Sequence, residues 1–181
     1  MPVKEIIKLG DPILRKACLP VEEFSLLPPI IDDMFDAMYE SEGVGLAANQ
    51  VNLDMNLFIL HIPGEDENDG GEPRIFVNSK IIATEGKSKD SEGCLSIPGV
   101  RLEITRPEII TLEYQDMDRN NHVEKFSGLT ARAIQHETDH LNGVLITDKV
   151  SQVQKLQYKQ DLKEIERQAM VRYSERQSGS V

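Results

Sequence analysis

Residues Gln135 to Leu141 read Gln-His-Glu-Thr-Asp-His-Leu and hold the pattern His-Glu-x-x-His. On an α-helix, positions i and i+4 share a face, so His136 and His140 can aim at one point. Two imidazoles at that spacing can bind one divalent metal. Glu137 sits beside the first of them, within reach of a metal-bound water and free to act as a general base. The bare pattern also arises by chance as a polar, solvated helix face. Ala131, Ala133, Ile134 and Leu141 argue against that reading here, because they mark a core-facing helix with its histidines near buried space.

A catalytic zinc-type site takes three protein ligands and one water. In one zinc-peptidase spacing, Gly143 falls in place, but the third-ligand position is Ile146, which cannot ligate. In a second spacing the third ligand is a Glu farther downstream, for which Glu164 is the candidate. Cys94 is another candidate, in the turn-rich run Glu92-Gly93-Cys94-Leu95-Ser96-Ile97-Pro98-Gly99. A lone cysteine is most often a small buried hydrophobe, so Cys94 and Glu164 both stand at this point. His61 reads as a strand residue and His122 as solvated. Cys18 reads as structural, and pairing it with Cys94 would consume a candidate ligand.

A third stretch, Gly43-Val44-Gly45-Leu46-Ala47-Ala48-Asn49-Gln50, completes a set. With it the chain resembles the bacterial-type peptide deformylases, which carry G-x-G-x-A-A-x-Q, E-G-C-L-S and Q-H-E-x-D-H-L in this order. Gly10-Asp11-Pro12-Ile13-Leu14-Arg15 is also similar to the family's N-terminal segment, so the resemblance covers nearly all of the chain except its tail. It implies a hydrolase that removes the formyl group from the N-terminal formyl-methionine of new polypeptides and releases formate. It implies Cys94, His136 and His140 as metal ligands. Glu137 becomes the base that takes a proton from the attacking water and returns it to the leaving amine. The Gln50 side-chain amide and the Leu95 backbone N–H become the oxyanion donors. Val44, Leu129, Ala133 and the ring of His136 fall around the substrate methionine, with Gly45 and Arg101 as further peptide contacts. The backbone of Val44–Gly45 and of the strand near Val100 can pair with an extended peptide. The resemblance implies iron as Fe(II) in the cell, with zinc as a less active substitute. One thiolate and two imidazoles suit nickel or cobalt as well.

Two rival classes differ in what they require. A zinc peptidase built on His136, Glu137, His140 and Glu164 would not need Cys94. A non-catalytic metal- or peptide-binding protein would bind metal without turnover. Glu92 and Asp139 stand near the ligands in sequence and could orient an imidazole. Arg132, one helical turn before His136, is expected to face solvent.

The elements that must position these residues can be read from pattern. The chain has 181 residues, 39% hydrophobic and 28% charged, which suits one compact catalytic domain over 1–181. Two cysteines, no signal-peptide-like run at the start and no apolar stretch of spanning length favour a cytoplasmic protein. The net charge of −11 argues against a general nucleic-acid binder. From Lys149 to Val181, however, seven Lys or Arg face four Asp or Glu, a local +3 against −14 elsewhere. A solvated helix face explains this, and the resemblance adds possible ribosome contact through the C-terminal helix.

Residues 26–42 carry an apolar stripe of Ile30, Ile31, Met34, Phe35, Met38 and Tyr39, with Pro28 and Pro29 suited to a first turn and Gly43 to a helix stop. Strands are expected over 57–62, 75–83, 100–105, 108–114 and 123–126, with a hairpin turn at Asp118 to Asn121 and an exposed loop at 63–73. A helix begins after Gly128, and a last helix fills 150–173 before a frayed end at 174–181. The expected fold is α+β: a mainly antiparallel sheet packed around a central metal-site helix, with one helix near each terminus.

Overall fold

The computed structural model describes residues 4–64 and 71–179. Short 3-10 turns at Pro12–Arg15 and Phe24–Leu26 lead into α1, Leu27–Glu40. Seven strands follow: β1 Gly45–Ala47, β2 Leu57–Leu60, β3 Arg74–Glu85, β4 Ser88–Cys94, β5 Ile97–Arg106, β6 Ile109–Gln115 and β7 Asn121–Ser127. Three more α-helices follow among the described residues: α2 Gly128–Leu141, α3 Gln152–Leu156 and α4 Lys159–Ser178. All strand pairs are antiparallel, in a five-stranded sheet of order β1-β2-β3-β6-β7 and a separate β4-β5 hairpin. The α+β reading holds, with two sheets instead of one.

Side-chain alternation along β2 explains why the sheet is covered on both faces. Leu57 and Ile59 turn to the α1 side, where they join Leu27, Ile31, Met34 and Met38. Phe58 and Leu60 turn to the other side and meet Ala131, Ile134 and Leu141 of α2. A third cluster lies under the β4-β5 hairpin, where Val100, Leu102 and Ile104 of β5 pack with Ile7, Leu9 and Leu14 and with Tyr158, Leu162 and Ile165 from the C-terminal end. The helix α2 therefore has an apolar side on the large sheet and a polar side toward the hairpin.

Several expectations shift. Gly43 does not carry the left-handed turn that ends α1; Glu42 does, with φ of 55°. The Glu42 N–H donates to the Tyr39 carbonyl and the Gly43 N–H to the Met38 carbonyl, the paired bonds of a Schellman stop. Gly43 is small for another reason: a Cβ there would lie 2.7 Å from Leu95 Cδ1. The C-terminal helical region is split, with α3 ending at Leu156 and α4 running on to Ser178, past the expected frayed start at 174. Of the expected loop at 63–73, residues 65–70 lie outside the described residues. Among the described residues, no helix is long and apolar enough to cross a membrane.

Candidate active site

Three elements deliver the site. The end of β4 carries Cys94, α2 carries His136, Glu137 and His140, and β1 with the following 3-10 turn Ala48–Val51 carries Gly45 and Gln50. The ligand-capable atoms of Cys94, His136 and His140 lie within 4.8 Å of one another. His140 Nε2 is 3.2 Å from His136 Nε2 and 3.3 Å from Cys94 Sγ. Ligands on a tetrahedral ion at ordinary metal–nitrogen and metal–sulfur distances stand about 3.3–3.6 Å apart. The donor set thus fits a tetrahedral divalent ion in both chemistry and spacing.

Glu92 orients the first imidazole. Its Oε1 lies 3.2 Å from His136 Nδ1, so Nε2 is left to face the other ligands. Glu92 is in turn held by a fork–fork pair with Arg106, at 2.6 and 2.9 Å, and by Arg132 Nη1 at 2.5 Å. Arg106 reaches on to Asp139 Oδ2 at 2.8 Å. Burial would raise the Glu92 carboxyl, but hydrogen bonds from His136 and Arg106 outweigh it and hold it at about 2. Glu92, Arg106 and Arg132 are buried in this network. Glu92 is the carboxylate both arginines share, so its removal leaves Arg132, among the described residues, with only neutral acceptors.

Arg132 was expected in solvent and is buried instead, because its partners Glu92, Ser88 and the Ile104 carbonyl come from a distant hairpin. Asp139 was a candidate to orient an imidazole; its carboxylate pairs with Arg106 and Lys149 instead. His122, expected to be solvated, is only half exposed, bonded to Asp116 at 2.7 Å and stacked on Tyr114. His61 follows β2 and meets the Tyr39 hydroxyl at 2.7 Å, away from the ligand group. Cys18 and Cys94 are both free thiols, and burial pushes the Cys18 thiol up to about 11. Glu164 lies on α4 with its carboxylate on Arg167 and Gln168, so it does not join the ligands.

Glu137 is buried, with Oε2 facing no hydrogen-bond partner. Desolvation pushes its carboxyl up to about 7. Gly45 makes the room for it: a Cβ at Gly45 would fall 2.6 Å from Glu137 Oε1 and 2.7 Å from Leu60 Cδ2. The φ of Gly45 is not in the left-handed region, so close approach and not backbone freedom demands glycine here. Gln50 is fixed at both ends of its amide. Its Oε1 accepts from the Ala47 N–H at 2.9 Å, and its Nε2 lies 3.1 Å from Ser96 Oγ and 3.9 Å from Cys94 Sγ.

A cleft of about 860 Å³ opens over this group. Val44, Gly45, Leu95, Arg101, Leu129 and Ala133 line it together with Gln50, Cys94, His136 and Glu137. Arg101 is held at the rim by Ser91, through Nε to the hydroxyl at 3.1 Å and Nη2 to the carbonyl at 3.0 Å. Arg106, Ser96 and Lys8 also belong to the neighbourhood and were not anticipated. Arg106 had a signal: it continues the inward alternation Val100, Leu102, Ile104 along β5, where a charged residue must find a buried partner.

The sequence profile of the polypeptide deformylase family matches residues 3–156. A peptide deformylase of Flavobacterium psychrophilum is 42% identical over 172 residues, covering 88% of this chain and 89% of that one. One of Chromobacterium violaceum is 40% identical over 171 residues, covering 94% of this chain and all of the relative. The crystal structure of peptide deformylase from Thermus thermophilus superimposes with a TM-score of 0.84 at 34% identity, covering 92% of this chain and 99% of that one. A plant peptide deformylase does so with 0.86 at 32% identity, covering 99% and 95%. The chain belongs to the polypeptide deformylase family of metal-dependent hydrolases.

Proposed function

We propose that this protein removes the formyl group from the N-terminal formyl-methionine of newly made polypeptides, releasing formate, and that residues 1–181 form one catalytic domain for that reaction. The observation that carries the reading is the convergence of Cys94, His136, Glu137 and Gln50 on one cleft, with His140 buried against Cys94 and His136. Cys94, His136 and His140 would hold the metal, Fe(II) in the cell, with zinc, nickel or cobalt able to replace it. The ion supplies Lewis acidity and brings a coordinated water into the neutral pKa range.

The chain's own groups do the rest. Glu137, buried beside the candidate ligands, accepts the water's proton and delivers it to the departing amine. Gln50 Nε2 and the Leu95 N–H donate to the oxyanion that develops on the formyl oxygen. Gln50 is preorganised for this by Ala47 and Ser96. Val44, Leu129, Ala133 and the His136 ring surround the methionine side chain. The backbones of Val44–Gly45 and of β5 near Val100 align the peptide as an added strand, with Arg101 at its rim.

The test is formate release from a short formyl-Met peptide by protein purified without oxygen and loaded with Fe(II). Rapid release is expected. Cleavage of the peptide chain would favour a peptidase, and no release from folded, loaded protein would favour a binding protein. Gly45→Ala is expected to lower kcat about a hundredfold by displacing Glu137, with metal content unchanged. Formate kinetics with metal analysis check this, and near-normal kcat would refute the steric role of Gly45.

A cytoplasmic location follows from this reading, since new formyl-methionine chains are its substrate. The basic C-terminal region is proposed to touch the ribosome. Deleting 150–181 should then reduce co-sedimentation with ribosomes, and unchanged co-sedimentation would end that idea.

A further inference from the structure

The segment Ile7–Leu9 is fastened to both halves of the proposed oxyanion site. The Ile7 N–H donates to the Gln50 carbonyl at 2.7 Å, and the Leu9 N–H donates to the Ser96 carbonyl at 2.9 Å. Between them, the Lys8 ammonium donates to the Leu95 carbonyl at 2.9 Å. Gln50 Nε2 and Ser96 Oγ join the two halves directly at 3.1 Å. Lys8 is half-buried and lines the same cleft as Gln50, Cys94 and Glu137.

The charge at Lys8 is not needed to anchor the segment. Two backbone bonds already do that, and Ile7 and Leu9 are buried in the cluster under the hairpin. Withdrawing an ammonium from water is costly, and an apolar side chain of the same length would fill the space without that cost. What the ammonium adds is a charge-assisted bond to one carbonyl, in the tight turn where Cys94 pairs with Ile97 across the end of the hairpin. That turn has two tasks at once: Cys94 Sγ must meet the imidazoles, and the Leu95 N–H must meet the oxyanion. The Leu95 carbonyl belongs to the Leu95–Ser96 peptide plane and the Leu95 N–H to the Cys94–Leu95 plane. In a turn closed by the Cys94–Ile97 pair and the Leu9–Ser96 bond, holding the first plane restricts rotation of the second.

We propose that Lys8 is a positioning residue for deformylation: its ammonium, by holding the Leu95 carbonyl, fixes the rotation of the Cys94–Ser96 turn and so aims the Leu95 N–H. The proposal rests on the deformylase reading above. The experiment uses metal-loaded protein and compares wild type with K8M, K8R and, as a distant control, K4M. Lys4 pairs with Asp33, outside the site, so K4M should match wild type. K8M is expected to lose about tenfold in kcat, less than the 10²–10³ lost with an oxyanion donor itself. Its KM, metal content and melting temperature should stay close to wild type. K8R should recover most of the kcat. In zinc-loaded protein, the backbone ¹⁵N–¹H signals of Leu95 and Ser96 should move in K8M while those of α1 stay in place. A K8M kcat within twofold of wild type would overturn the proposal, as would a loss that appears in KM or in metal content. A loss that folded, loaded K8R does not recover would overturn it too. Inactive wild type would instead sink the deformylase reading, so the two failures are distinguishable.

Discussion

Glu137→Ala is expected to abolish formate release while leaving the metal in place. Glu137 is not one of the three grouped donors, and its Oε1 faces Gly45. Removing it therefore takes away proton transfer and spares coordination. General acid–base catalysis contributes about 10²–10⁴-fold, and a group that handles the proton twice belongs at the upper end, near 10⁴-fold. Glu137→Gln refines the test, because it keeps the shape of a side chain that is buried and tightly fitted against Gly45. Both variants should fail alike. If either turned over at a near-normal rate with metal bound, another group would have to be the base.

The same substitution has a signature in stability. Burial raises the Glu137 carboxyl from an ordinary 4.5 to about 7, so the folded chain stripped of metal keeps a proton that the unfolded chain has lost. Between those two values the unfolded state binds fewer protons, and stability falls as pH rises. Above pH 7 the loss reaches on the order of 3 kcal/mol. Metal-free Glu137→Gln should therefore be more stable than wild type at pH 8, with the advantage disappearing below pH 4.5. Denaturant midpoints at the two pH values measure this directly. A cation beside the carboxylate pulls its pKa the other way, so the effect should shrink in loaded protein.

What the sequence disclosed follows from range. Periodic apolar patterns placed α1, α2 and five strands, because burial of one face is a local signal. Two strands escaped. β1 has only Gly45, Leu46 and Ala47, too short for alternation to register, and it exists because β2 lies beside it. β4 runs Ser-Lys-Asp-Ser-Glu-Gly-Cys, and its most buried member is Glu92, so its inward face is ionic and reads as loop. The solvent expectation for Arg132 failed for a related reason. A charge reads as exposed until its partner is known, and Glu92 lies 40 residues away in sequence. The motif residues were legible because their chemistry is carried by type and local spacing. The network that orients them is carried by tertiary pairing; Glu92 and Asp139, inside motifs, were named beforehand, and only Glu92 sits on an imidazole. Glycine gave a half-signal: Gly43 read as a helix stop and Gly45 as part of the substrate site, but the groups they make room for, Leu95 and Glu137, come from other elements.

Cys94→Ala is expected to strip the metal, which separates it from Glu137→Ala even though both variants lose turnover. Losing an orienting partner outside the ligand set costs about 10–100-fold in metal affinity, so losing one of three ligands should cost at least the upper figure. Where the ion is in excess over its dissociation constant, a hundredfold weaker affinity removes about 2.7 kcal/mol of metal-dependent stability. The variant should therefore melt lower than wild type in the presence of metal and alike once both are stripped. Cobalt substitution gives a direct view of the bond. Thiolate-to-cobalt charge transfer should appear in the near ultraviolet for wild type and Glu137→Ala and vanish for Cys94→Ala. Tight binding with the absorption intact would remove Cys94 from the ligand set. The peptidase arrangement predicts such indifference to Cys94, yet it requires Glu164, whose carboxylate is taken up by Arg167 and Gln168 on the exposed face of α4. The spacing of Cys94 Sγ and His140 Nε2, 3.3 Å, suits two donors to one tetrahedral ion, and no carboxylate of α4 joins that group.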